Sequence, residues 1–262
     1  MDIKFLSKSE NKLKFLLKGI NPAIANTLRR AMIAEIPILA IKEVTFTKNS
    51  SALFDEMLSH RLGLIPLKAD LSLINTTEEC SCKGKGCSKC QVTFTLNCEG
   101  PITVNAESLK CSDDKIKPVY GKMPIVKLLK GQELEFEAVA NLGLGKVHSK
   151  YIPCLAFYQG YPKITITKVK NSEEVVKECP MGVFDLESKE LKIKNIEVCN
   201  LCGSCESIAS PEESVVLEPS ETDFIFTIES WGQLSPKEIY EKAIESLNAK
   251  IGELDTNLGK LK

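Results

Sequence analysis

Eight of the eleven cysteines in this 262-residue chain fall into two groups of four, and each group has the spacing of metal ligands. The first is Cys199-Asn-Leu-Cys202-Gly-Ser-Cys205 with a remote Cys179-Pro180. Thiolates at i, i+3 and i+6 in a tight loop reach three corners of an iron–sulfur cube, and Gly203 lets that loop wrap closely. Proline after Cys179 removes an N–H and stiffens the approach of the fourth ligand. In two-cluster runs the cysteine before proline serves the other cluster, and only half of that pattern is present. Val169, Ser172 and Val175 stand where an upstream triplet would be, and Ala209 stands where the downstream run would close. One complete set remains: Cys179, Cys199, Cys202 and Cys205. It suits a single cluster, four-iron by preference with three-iron as the alternative. The rival is four-thiolate zinc, which more often uses two Cys-x-x-Cys knuckles.

The second group is Cys80-Ser-Cys82-Lys-Gly-Lys-Gly-Cys87-Ser-Lys-Cys90. Four thiolates in so short a span, with Gly84 and Gly86 to fold them together, resemble a structural zinc site. The competing reading is a loop with unused cysteines, because Cys-x-Cys is an irregular half-site. Cys98 and Cys154 sit in apolar contexts as small hydrophobes, and Cys111 has no readable role. His60 and His148 lie beside basic residues without a nucleophile pattern and read as structural. No Walker loop, Ser-His-Asp order or acidic triplet is present, and Gly143-Leu-Gly145-Lys146 lacks the rest of a phosphate motif. Arg29-Arg30 could grip an anion, although such a pair is more often a solvated or interface face.

The elements that must position these groups follow from the period of the apolar residues. Ile3, Phe5, Leu13, Phe15 and Leu17 alternate around a polar Ser7–Asn11 turn, which predicts a hairpin. Asn21-Pro22 then reads as N-cap and first residue of a helix with Ile24, Leu28, Ala31 and Met32 on one side, ending before Pro37. A second helix is expected over 52–62 with Leu53, Met57, Leu58 and Leu62 inward. Strands are expected at 38–47, 92–98, 102–104, 133–140, 163–169 and 223–229. The cysteine-rich insert runs from about 172 to 210, and Val183–Leu186 with Leu191–Ile193 form a small hairpin about Ser188 within it. Net charge is −1, so no global basic field is available to hold nucleic acid. No apolar run approaches a membrane span and the N-terminus lacks the form of a signal peptide, so a cytoplasmic protein is expected.

The last helix opens on Ser235-Pro236-Lys237-Glu238, a capping box with proline in the first turn. Tyr240, Ile244, Leu247, Ile251, Leu254, Leu258 and Leu261 then alternate gaps of four and three, a heptad seam. The seam continues to the last residues, which suits another helix better than the chain's own sheet. A partner subunit is the favoured reading.

Two blocks make the chain recognisable: Asn26-Thr-Leu28-Arg29-Arg30-Ala-Met-Ile-Ala-Glu-Ile-Pro37, and His60-Arg61-Leu62-Gly63-Leu64-Ile65-Pro66-Leu67. They resemble the alpha-type assembly subunits of multisubunit RNA polymerases, and with the cysteine insert the archaeal, D-type branch of that family. The resemblance implies an α+β fold, with two alpha-like modules and a ferredoxin-like iron–sulfur insert. It places a dimerisation module at 1–45 plus 219–262, a middle domain with the Cys80–Cys90 loop at 46–168, and the iron–sulfur domain at 169–218. It further implies pairing with a smaller alpha-like subunit (L in archaea) through Leu247, Ile251, Leu254 and Leu258. Recruitment of small subunits N and P and of the large catalytic subunits follows, one of which faces Arg29 and Arg30. DNA would be met only through the assembled complex. The function implied is a non-catalytic scaffold, since no carboxylate cluster is present to hold the metal ions of phosphodiester formation. The alternatives are a small iron–sulfur electron carrier and a zinc-dependent nucleic-acid module.

Overall fold

A computed structural model describes residues 1–78, 80–83 and 85–260, so Gly84 of the cysteine loop and Leu261 of the seam lie outside it. The fold is mixed α+β. The order of elements is β1 (Asp2–Lys8), β2 (Lys12–Lys18), α1 (Pro22–Ala34), β3 (Pro37–Asn49), α2 (Asp55–Gly63), β4 (Leu67–Lys68), β5 (Gln91–Glu99), β6 (Ile102–Asn105), β7 (Lys110–Cys111), β8 (Lys117–Pro118) and β9 (Pro124–Leu128). Then follow β10 (Glu133–Leu144), β11 (Cys154–Ile166), α3 (Ser172–Glu178), β12 (Phe184–Glu187), β13 (Glu190–Ile193), α4 (Ser204–Ile208), β14 (Val215–Ser230) and α5 (Pro236–Gly259). They form two compact units, one of residues Met1–Arg29 with Ala156–Ile228, the other of Arg30–Leu155 with Glu229–Lys262.

In the first unit the strands run β1-β2-β14-β11. Phe15 stacks on Phe226 with ring centroids 5.3 Å apart, and Tyr158 meets Phe224 edge-on at 5.4 Å. β2 buries Leu13, Phe15, Leu16 and Leu17, whereas β1 leaves Ile3 and Phe5 in solvent. The period-2 pattern found the hairpin but not its depth in the sheet, because β1 is an edge with a neighbour on one side only. Within residues 172–210 the expected small hairpin forms, and it turns through Ser188 and Lys189, both at positive φ (52° and 68°). Two consecutive positive φ values give the turn whose twist matches the flanking strands.

In the second unit β10 is the central strand, paired antiparallel with β3 on one side and β5 on the other, and β7 extends the sheet beyond β5. Leu58 and Leu62 of α2 join Leu39, Ile41, Phe94, Leu96 and Phe136 in its core. Met57, expected inward, is 52% exposed, and Leu53 precedes the helix, which begins at Asp55. Leu58 and Leu62, four residues apart, set the inward face, and Met57 lies about 100° round the helix from Leu58.

Along α1 the cap is as expected, since the Asn21 side-chain oxygen accepts from the Ile24 N–H at 2.8 Å. The buried stripe is Ala25, Leu28, Ala31 and Met32, while Ile24 is exposed. β11 and β14 begin well before the segments 163–169 and 223–229 expected for them. Their early residues do not alternate cleanly, so their pairing is decided by sheet neighbours rather than by their own pattern.

Candidate metal centres and partner surface

The described residues of the Cys80–Cys90 loop form no regular element but are tightly folded. The Cys90 and Gln91 N–H groups both donate to the Cys87 carbonyl at 2.9 Å, closing the knuckle, and Gly86 turns at φ 83°. The four sulfur atoms lie within 4.8 Å of one another. Sγ–Sγ separations are 3.5 Å for Cys80–Cys87, 3.6 Å for Cys82–Cys90 and 3.8 Å for Cys87–Cys90. A tetrahedral ion with bonds of about 2.3 Å spaces its sulfurs about 3.8 Å apart, so the donor set fits one zinc. Burial pushes the Cys90 thiol up to about 12, and a thiolate there requires a cation beside it.

The other group is assembled by four short pieces of the insert. Cys179 ends α3, Cys199 follows a single 3-10 turn at Ile196–Val198, Cys202 sits in the connecting loop, and Cys205 lies in α4. Leu201 and Gly203 on either side of Cys202 both have positive φ (59° and 78°), the backbone reversal that glycine at 203 makes easy. Cys199 and Cys205 are buried, Cys179 is half-buried and Cys202 is exposed. Among the described residues only the first group meets single-ion spacing. The 179/199/202/205 thiols are nonetheless near enough to interact: burial raises the Cys205 thiol first, then the charges of Cys199 and Cys179.

Two further observations fit this set to a cluster. The sulfurs receive backbone N–H groups, from Val183 to Cys179 at 3.4 Å and from Leu201 to Cys199 at 3.4 Å, and the Ser204 backbone holds the Cys202 thiol below its ordinary range. Such bonds stabilise cluster thiolates. Around them lies an apolar shell of Val183, Phe184, Leu191 and Val215. That shell also takes in Val169, Val175 and Ala209, three of the four positions where a second ligand set would stand. Val175 is fully buried, so packing occupies those positions.

The ligand loop is tied to the four-stranded sheet by contacts that the sequence does not signal, since their partners lie up to 193 residues apart. Gln159 of β11 donates to the Cys199 carbonyl at 2.7 Å. Lys14 of β2 donates to the Glu197 carbonyl at 2.9 Å, and Lys4 of β1 meets the Glu197 carboxylate at 2.7 Å.

At the seam, α5 has the expected capping box. Its buried residues are Pro236, Ile239 and Ala243, while Tyr240, Ile244 and Leu247 are half-buried. Ile251, Leu254 and Leu258 are 65%, 59% and 53% exposed. The helix is held at Lys250, whose Nζ lies 2.6 Å from Glu35, and that hydrogen bond holds the Glu35 carboxyl below its ordinary value despite partial burial. Arg29 directs its guanidinium to the Asn26 side-chain oxygen at 2.9 and 3.2 Å, and Arg30 is exposed.

Arg61, read only as a neighbour of His60, donates to the Pro124 and Ile125 carbonyls at 2.7 and 2.9 Å and fastens α2 to β9. His148 is exposed and accepts from the Lys150 N–H at 3.1 Å, which caps a short turn. The Gly143/Gly145 pair serves packing. A Cβ at 143 would lie 2.5 Å from the Tyr151 ring, and one at 145 would lie 2.1 Å from the Ile33 carbonyl. Cys154 is buried, as its apolar context implies. No helix among the described residues is long and apolar enough to cross a membrane.

Residues 40–159 match the family model described as RNA polymerase Rpb3/RpoA insert domain. The chain is 39% identical to DNA-directed RNA polymerase subunit Rpo3 of Methanosphaera stadtmanae, over 95% of this chain and 96% of that protein. It is 36% identical to the Rpo3 of Archaeoglobus fulgidus, over 97% and 96% of the two chains. It is also 34% identical to DNA-directed RNA polymerase II subunit rpb3 of Dictyostelium discoideum, over 97% and 93%.

Proposed function

The chain belongs to the Rpo3/Rpb3 family of DNA-directed RNA polymerase subunits, and on that premise we propose that it is a non-catalytic assembly subunit of that nucleotidyltransferase complex. Its archaeal relatives bear the name Rpo3, and the place proposed for this chain is that of the archaeal, D-type assembly subunit. The observation that carries the scaffold role is the end of α5, where Ile251, Leu254 and Leu258 continue a heptad seam into solvent. A monomer gains nothing from three large apolar side chains in water at one helix face, whereas a second helix would bury them. The partner we propose is the smaller alpha-like subunit, L. Residues 1–45 and 219–262 supply the dimerisation module, 46–168 the middle domain and 169–218 the metal-bearing insert. Small subunits N and P and the large catalytic subunits would dock on the resulting pair, with Arg30 open toward a large subunit and DNA reached only through the assembly.

Cys179, Cys199, Cys202 and Cys205 would hold one iron–sulfur cluster, four-iron or three-iron. Its contribution is structural, cross-linking four segments that also meet through a small apolar shell and through the Asn171 bonds to the Ile208 carbonyl and the Ser210 N–H. Cys80, Cys82, Cys87 and Cys90 would hold one zinc in the same sense. Co-expression with the small alpha-like subunit under anaerobic conditions tests the whole reading. A one-to-one heterodimer that recruits the remaining polymerase subunits is expected. Recovery with redox enzymes and without polymerase subunits would favour the electron-carrier alternative and overturn it.

A further inference from the structure

The 3-10 turn at Ile196–Val198 leads into Cys199, whose N–H closes the turn on the Ile196 carbonyl, and is too short to satisfy the carbonyls that follow. Those of Glu197 and Cys199 accept instead from Lys14 and Gln159, and the Glu197 carboxylate meets Lys4. Three strands, β1, β2 and β11, thus hold the 197–199 segment at its two ends, Glu197 and the proposed metal ligand Cys199. The strand at the far edge has little else to hold it. Apart from half-buried Leu6, every residue of β1 is exposed, and among the described residues its only ladder is to β2. Edge elements with few buried contacts open first in a native protein. Three donors can grip the 197–199 segment only while that segment keeps one conformation, and a bridged thiolate set is what gives a loop without regular structure a single conformation.

We infer that Lys4, Lys14 and Gln159 form a clamp through which the metal-bound state of the Cys199 loop sets the order of the β1–β2 hairpin. The inference rests on the iron–sulfur reading of the 179/199/202/205 set. Gln159 and Lys14 are positioning residues in this scheme: they touch the carbonyls of the ligand loop, not the metal. With metal in place the hairpin is pinned at both strands. Without it the loop drifts, the donors lose their acceptors together and the edge strand frays.

Hydrogen exchange on the full chain, loaded anaerobically with iron and sulfide or stripped with chelator, tests the clamp. Amides of residues 3–17 are expected to exchange roughly tenfold more slowly in the loaded chain, the factor expected for one or two hydrogen bonds at the loop. Gln159→Leu and Lys14→Met should each retain the wild-type iron content while losing most of that difference. Lys4→Met gives a third variant at a side chain 59% exposed, and it should likewise retain iron while losing part of the difference. Iron retained with hairpin exchange identical in loaded and stripped chains overturns the clamp and leaves the cluster reading standing. Failure of the chain to retain iron under any loading overturns both.

Discussion

Replacing Ile251, Leu254 and Leu258 together by glutamine should leave the isolated chain as stable as before and strip most of its affinity for a helical partner. Glutamine keeps a helix propensity close to that of leucine, so α5 itself is not at risk. The three side chains retain 65%, 59% and 53% of their exposure in the chain alone, together nearly two side chains' worth of apolar surface still open. At roughly 1.5–3 kcal/mol for each fully buried large apolar side chain, the partner stands to gain about 3–5 kcal/mol from them. That corresponds to a loss of about two to four orders of magnitude in affinity. Titration calorimetry against the purified small alpha-like subunit measures the loss, and a thermal melt of the variant alone measures the control. Affinity within threefold of wild type would refute the reasoning. So would a large drop in the melting temperature of the isolated variant, because that would mean the helix end packs on its own chain.

Cys82→Ser should remove one zinc equivalent per chain, read by elemental analysis, while leaving iron unchanged, because the two ligand sets share no residue. Val175→Ala removes two methyl groups from the fully buried position that replaces a second cluster ligand. It should cost about 1–3 kcal/mol in urea unfolding and speed iron loss to chelator; an unchanged rate would detach the apolar shell from metal retention. The Glu35 carboxyl is depressed by its hydrogen bond from Lys250, so its contribution is present above about pH 4.5 and lost as pH falls through the folded-state value. With Lys250 half in solvent, Glu35→Gln should cost only about 0.5–1 kcal/mol at pH 7, and the gap to wild type should close on acidification below 4.5.

Much of this was legible from local spacing. The hairpin, the Asn21-Pro22 cap, the capping box at Ser235 and the small hairpin about Ser188 all appear where residue period and turn chemistry put them. Each depends on atoms a few residues apart. Met57 and Ile24 were expected inward and are exposed, because each stands beside another apolar residue, Leu58 and Ala25, and which of the two faces in is decided by packing without altering the period. The early halves of β11 and β14 were missed for a related reason. β14 lies between β2 and β11, and a strand with neighbours on both sides can take its order from them and need not alternate; β11, at the sheet edge, opens on the unbroken apolar run Cys154–Tyr158, which carries no period.

The two cysteine groups separate these levels most clearly. Their candidate ligands were legible from spacing alone, as were the family blocks at Asn26–Pro37 and His60–Leu67, since a metal or a helix cap reads residues close along the chain. Only the tertiary structure decided what each group looks like. It drew the Cys80–Cys90 sulfurs to single-ion distances, spread the other set over four pieces of the insert, and filled the place of a second ligand set with Val169, Val175 and Ala209. It likewise chose Lys14 and Gln159 as partners for the carbonyls at 197 and 199, and Pro124 and Ile125 as acceptors for Arg61. A carbonyl accepts from whichever donor the fold brings near, and that neighbour is set by packing between segments far apart in sequence, where residue spacing carries no information.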